Sequence, residues 1–296
     1  MDLVVGEPYA GAETLTYDGG VQVFFGNSAE DVYSLGEGFS IKCEESPCGL
    51  GGGMTFSESR EDGPVVVVSA PFAGIGGRQR GGMIMIKQDM DWELGGEYLV
   101  PRDIAWDITG EQDFEQIGTI AAASGFVAVG SPTYRLAAME DGSFNENDLQ
   151  TTGHVNIFME NSVLEIVGTS EFGALGSSLA VVNMTVGGES KSLLAAGESS
   201  GDSVTGGYLQ TGSVHLYQVD TEAGTVEEVA SLSGNSELGF FGMRLLAGWD
   251  GGILVGAPYT GLGLDNYGKV SIIQLIACNT CFIGLLFLWP ARPARR

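Results

Sequence analysis

The sequence is short of basic residues, proline, histidine and cysteine, and each shortage closes off a class of function. Thirteen lysines and arginines stand against 38 acids, a formal charge of −25. A surface of that sign repels nucleic-acid phosphates and anionic lipid headgroups and tolerates cations and basic partners. Nine prolines and no strict Gly-X-Y period exclude a collagen-like chain. The two histidines, His154 and His215, belong to no HExxH or HxxxH pair, so neither a catalytic nor a metal site is assembled from them. They read as ordinary strand residues. No Gly-x-Ser-x-Gly elbow, P-loop or dinucleotide fingerprint is present.

Cysteine is scarce as well: four residues in two close pairs. Cys43 and Cys48 can close a small disulfide loop if the protein is exported, a pairing that sequence alone leaves open. Cys278 and Cys281 make half of a zinc-ribbon pattern whose second half is missing. Met1–Gly6 has neither a basic n-region nor an apolar h-region. Taken literally that is a cytosolic start; the repeats described next suggest instead a chain that opens inside a repeat unit.

Glycine and apolar residues are abundant. Glycine accounts for 47 of 296 residues and 44% of the chain is hydrophobic. Charged residues are 17% of the total, too few for a disordered chain. The combination predicts short strands joined by tight turns.

A unit of about sixty residues recurs. It opens with an apolar run ending in Gly or Ser, a small residue and Pro, and continues to a glycine followed by an alternating strand. The copies are DLVVGEPYAG with GGVQVFFG, VVVVSAPFAG with GGMIMI, FVAVGSPTY with GHVNIF, the degenerate LLAAGESSG with GSVHLY, and ILVGAPYTG with GKVSII. Gly6, Ser69, Gly130, Gly197 and Gly256 align, at separations of 63, 61, 67 and 59. The turn residues of the motif are Gly6, Pro8, Pro71, Gly130, Pro132, Gly197, Gly256 and Pro258. A second element precedes four of the runs: GLGGGM, FEQIGTIAA, FGALGSSLAVV and FFGMRLLAG. The glycines of GLGGG at 49–53 thus belong to a repeat turn, not a phosphate cradle.

Runs such as VVVV and FVAV are apolar on both faces, as in a strand covered on both sides. GHVNIF and GSVHLY alternate, which predicts a strand with one wetter face. Several strands per sixty residues, stacked as similar sheets, predict an all-β fold of β-propeller blades. The repeats lie around 1–26, 49–87, 114–158, 172–218 and 240–273, within a blade region of 1–275.

These motifs resemble FG-GAP repeats, the blades of integrin α-subunits and of the GPI-specific phospholipase D family. DLVVGEPYAGAETLTYDGGVQVFFG is most similar to the phospholipase blades. The resemblance implies a seven-bladed ring, of which four to five four-stranded blades are present here. It implies a secreted, extracellular enzyme that hydrolyses the inositol phosphodiester of GPI anchors, using zinc in an N-terminal domain rich in His and Asp. That domain has no counterpart in this sequence, so the chain reads as a non-catalytic propeller portion, with no cofactor of its own. Its expected partners are the catalytic domain and GPI-anchored proteins, with membrane contact only through substrate. The alternatives are an integrin-like adhesion propeller and a stand-alone scaffold.

The resemblance also implies calcium loops of the form Asp-x-Asp-x-Asp-Gly before the apolar strands. Here those places read SESREDG, AASG, NMTVGGESKS and GWDGG, which lack alternating oxygen ligands. Asp62 and Asp250 read as turn residues, and the acidic run from Asp141 to Asp148 as a solvated loop. The sequon Asn183-Met184-Thr185, placed between two blade strands, is a glycosylation candidate.

Residues 276–296 break the pattern with an apolar run and three closing arginines after Trp289. A transmembrane helix, a terminal edge strand and a segment foreign to the fold are the three readings; the change of composition favours the last.

Overall fold

The computed structural model describes residues 3–9, 19–26, 35–43, 48–59, 63–74, 82–88, 97–100, 108–112, 115–134, 151–160, 162–170, 172–186, 189–201, 210–248, 251–259, 268–277 and 282–289. Every regular element among them is a strand. The chain divides into two compact units, the first built on residues up to Gly118 and the second on those from Thr119.

In the first unit the strands are β1 (Leu3–Gly6), β2 (Gly20–Gly26), β3 (Leu35–Cys43), β4 (Met54–Ser59), β5 (Gly63–Ala70), β6 (Met83–Gln88), β7 (Glu97–Val100) and β8 (Ile108–Thr109). They form two four-stranded sheets, β1-β2-β3-β7 and β4-β5-β6-β8. All pairings are antiparallel except β3 with β7. In the second unit β9 (Thr119–Ala123), β10 (Phe126–Ser131), β11 (His154–Met159) and β12 (Ser162–Val167) form an antiparallel sheet. So do β13 (Leu175–Val186), β14 (Glu189–Glu198), β15 (Ser213–Asp220) and β16 (Thr225–Ser233). The last sheet joins β17 (Arg244–Ala247), β18 (Gly252–Ala257), β19 (Lys269–Ala277) and β20 (Phe282–Trp289). The third, fourth and fifth copies each supply strands to a sheet of their own, while β7, which follows the second copy, joins the first sheet beside β3.

The double-sided apolar runs are covered on both faces. On β14, Leu194 and Ala196 enter one core with Ile157, Leu179 and Tyr217, while Leu193 and Ala195 enter another with Leu216, Phe241 and Ile253. Successive strand residues point to opposite faces, so one strand feeds both cores. The wetter face expected of GSVHLY is displaced by one strand. On β15, Val214 and Leu216 serve one core and Tyr217 and Val219 the other. It is β16, the fourth strand, that alternates toward solvent.

Glycine fixes how one repeat meets the next. Gly19, Gly82, Gly153, Gly212 and Gly268 hold the same repeat position, and all have φ between +63° and +86°. A side chain at the first four would overlap the backbone of Leu50, Ile117, Leu175 and Phe241 respectively. Those four residues open the next repeat and are at most 5% exposed. Each follows a residue in the left-handed region, Gly49, Gln116, Ala174 or Phe240, with φ of 68°, 54°, 58° and 51°.

The tail is described over Phe282–Trp289, which pairs along its whole length with β19. These residues therefore take the edge-strand form. Among the described residues no helix is long and apolar enough to cross a membrane. Cys278, Cys281, Asp62, Asp250 and the run from Asp141 to Asp148 lie outside the described residues.

Candidate functional site

The predicted turn residues end the second strand of each repeat. Pro8, Pro71, Pro132 and Pro258 each occupy a turn directly after β1, β5, β10 and β18. Proline fixes φ and removes a donor, so the ladder stops there. The fourth copy lacks this proline and reads Gly197-Glu198-Ser199-Ser200. That departure carries a cluster of polar side chains on β14, β15 and β16.

Glu198 closes β14 and faces Ser213 across the ladder. His215 lies two residues further along β15 and so on the same face as Ser213. On the other side of β15 the register with β16 shifts between Leu216 and Tyr217, where Val229 is the extra residue. Such a bulge re-aims neighbouring side chains, and here Glu228 reaches the imidazole. Glu198 Oε2 lies 3.1 Å from His215 Nε2, and Glu228 Oε1 lies 3.1 Å from Nδ1. Ser213 donates its hydroxyl to Glu198 Oε2 at 3.1 Å and stands 3.3 Å from His215 Nε2.

The charges follow from this geometry. Burial by itself raises the pKa of Glu198, but the hydrogen bond and charge of His215, with Ser170 and Ser213, overcome it and hold the carboxyl below its ordinary value. Burial lowers that of His215; hydrogen bonds and charge from Glu198 and Glu228 overcome it and hold the imidazolium above its ordinary value. The same carboxylates, after burial, push the Tyr217 phenol upward. Glu198 Oε1 is buried and makes no hydrogen bond of regular geometry. The carboxylate is cradled by two glycines: a side chain at Gly173 would overlap Oε1, and one at Gly201 would crowd Oε2.

Ser213, His215 and Glu228 have the connectivity of a hydrolase triad, yet the arrangement does not serve as one. Ser213 is 2% exposed, so a substrate has no path to its oxygen. Its hydroxyl also donates to Glu198, which occupies the proton a general base must take. The cluster holds a half-buried imidazole between two carboxylates and ties β14, β15 and β16 together. Among the described residues no three His, Cys, Asp or Glu side chains converge to hold a metal ion.

His154, at the start of β11, makes a similar but simpler pair. Its Nδ1 lies 3.1 Å from Glu165 Oε1, and its ring stacks on Tyr134 at 3.9 Å between centroids. The reading of both histidines as strand residues holds, but it missed the carboxylates. The signal available in the sequence was Glu198 standing beside a missing proline.

Cys43 and Cys48 are joined by a disulfide with Cα atoms 6.4 Å apart. Asn183 lies inside β13, not between strands, because β13 and β14 continue pairing as a long hairpin as far as Val186 and Glu189. It is exposed, and its Oδ1 accepts a hydrogen bond from Ser192 at 2.8 Å.

No family model matches the chain. Among solved structures, a neuraminidase-like protein from A/bat/Guatemala/164/2009 is similar at a TM-score of 0.37 and 10% identity, over 75% of this chain and 51% of that one. Among curated proteins, phosphatidylinositol-glycan-specific phospholipase D of Rattus norvegicus is 29% identical over 275 residues, 82% of this chain and 31% of the relative. The proteins of the same name from Bos taurus and Homo sapiens are also 29% identical, over 81% of the chain and 30% of each relative. The chain thus spans about a third of the length of the curated relatives it matches. Over most of its own length it is related to phosphatidylinositol-glycan-specific phospholipase D.

Proposed function

We propose that this chain is the non-catalytic, FG-GAP propeller portion of an extracellular GPI-specific phospholipase D-like protein. The observation that carries the reading is the pattern of the match: 82% of this chain aligns, but only 31% of the relative. The relatives' remaining length has room for a separate catalytic domain. The repeat glycines and the five blade-like sheets support a propeller role, and the closed geometry around Ser213 supports a structural role for the Glu198–Ser213–His215–Glu228 cluster. On this reading zinc and the attacking water belong to the other domain. The propeller supports that domain and presents it to GPI-anchored substrates outside the cell, where the Cys43–Cys48 disulfide persists.

The test is direct. The purified chain, with and without added zinc, is incubated with a GPI-anchored reporter on vesicles, and release of the reporter is measured. No release above buffer is expected, while a relative containing both portions releases it. Zinc-dependent release by this chain alone would refute the assignment.

A further inference from the structure

The fifth sheet repeats the fourth, with one exchange of charge. Glu198 faces Ser213 on the fourth sheet, and Ala257 faces Lys269 at the same register on the fifth. Ala257 therefore takes the place of Glu198, Lys269 that of Ser213, and Ser271 that of His215. The covering turn repeats as well. Gly173 donates its amide to Ser170 O at 3.0 Å, and Gly239 donates to Ser236 O at 3.1 Å.

On the fourth sheet the space under this turn is filled by the Glu198 carboxylate, with Gly173 leaving room for Oε1. On the fifth the side chain stops at the methyl of Ala257. What remains is a small open cleft of about 60 Å³, lined by Ser236, Gly239, Ala257, Lys269 and Ser271 among others. The turn keeps its serine and its glycine, Ser236 and Gly239. The anion is gone, and a cation stands across the ladder from its place: Lys269 lines the cleft and forms no ion pair among the described residues.

We propose that this cleft binds the carboxylate group of a small organic acid, in the place that Glu198 fills one repeat earlier. Lys269 supplies the charge, as His215 does for Glu198, and the half-buried Ser236, whose hydroxyl makes only a long 3.5 Å contact with Glu237 O, supplies a neutral donor. A charge-assisted hydrogen bond is stronger than a neutral one, so Lys269 dominates the affinity. The protein's net charge of −25 repels free anions in general, which makes the local cation a requirement for binding.

The experiment is an NMR titration of the intact isotope-labelled chain with sodium acetate and sodium propionate, against sodium chloride at matched ionic strength. Saturable shifts are expected at Ser236, Gly239, Lys269 and Ser271. Ser170, Gly173 and Ser213 serve as internal control, because their site is already filled. Lys269→Met should weaken binding about tenfold or more. Ala257→Glu should abolish it by seating the chain's own carboxylate. Shifts that stay linear with both acids, or that match those of chloride, overturn the proposal. So does unchanged affinity in Lys269→Met, which decides the matter even if Ala257→Glu fails to fold.

Discussion

The Ser69 hydroxyl donates to the carbonyl of Gly118, 49 residues away, at 2.8 Å. The next two sheets make the same bond from the neighbouring strand. Thr119 donates to Gly176 O and Ser178 to Gly242 O, each at 2.5 Å. Opposite these donors stand Gly130 and Gly197; opposite Ser69 stands Gly53, whose carbonyl accepts the Ser69 amide at 2.9 Å. Each cross-strand pair thus offers one hydroxyl and one bare α-carbon to an incoming carbonyl, and which strand carries which is interchangeable.

A double-mutant cycle tests that rule. Ser69→Gly leaves the Gly118 carbonyl without its hydroxyl and should cost about 1–2 kcal/mol. Gly53→Ser alone places a side chain against Gly118 O and should cost more. Gly53→Ser combined with Ser69→Gly reproduces the arrangement of Thr119 and Gly130. It should recover at least about 1 kcal/mol relative to the sum of the single changes, read by denaturant unfolding. Strict additivity would refute the exchange.

Backbone conformation gives a pair of predictions with opposite signs. Ala174 is held at φ 58°, where an L side chain is strained. Ala174→Gly should stabilise the protein by about 0.5–1 kcal/mol. Gly212, at φ 75°, abuts the backbone of Phe241, whose amide nitrogen would lie 2.5 Å from an added Cβ. Gly212→Ala should cost about 3 kcal/mol. Thermal unfolding of the two variants measures both.

The His215–Glu198 pair makes stability depend on pH from both sides. Glu198 is held below its ordinary 4.5, so its contribution is present above that pH and is lost as pH falls through the lowered value. His215 is held above its ordinary 6.5, so its contribution is complete below that pH and is lost as pH rises through the raised value. Both are complete between pH 4.5 and 6.5. His215→Asn leaves the 4%-exposed Glu198 side chain without its cation and should cost about 3 kcal/mol near neutrality. In that variant burial acts on Glu198 against the hydrogen bonds of Ser170 and Ser213 alone, so acidification toward pH 5 should narrow the deficit against the parent. Unfolding curves across the range check the crossing of the two profiles.

Removing the small disulfide has a smaller effect. Cys43→Ser with Cys48→Ser opens a loop with a sequence separation of 5. So short a loop contributes about 2 kcal/mol through the entropy of the unfolded chain. Unfolding under oxidising conditions, parent against variant, should show that difference, and the parent with reductant should match the variant.

Much of the fold was legible because repetition makes a sequence its own control. A position that reads Gly6, Ser69, Gly130, Gly197 and Gly256 at intervals of some sixty residues admits only a small residue each time. That reasoning located the turn prolines and the doubly covered strands without a structure. It placed the wetter strand one position too early, because apolar alternation does not say how many strands follow. It put Asn183 in a connection, because nothing in NMTVGGESKS shows how far β13 and β14 keep pairing.

The sequence by itself determined the number of repeats, the positions of their turns and the sign of the surface, since all three follow from local composition and spacing. Only the tertiary structure decided what each repeat encloses. Glu198, Ser213, His215 and Glu228 come from three strands, and their meeting depends on two registers and a one-residue bulge. The same registers align Ala257 with Lys269. Whether a carboxylate fills the space under a turn or leaves it open is a property of packed side chains across strands, and no single stretch of chain carries it.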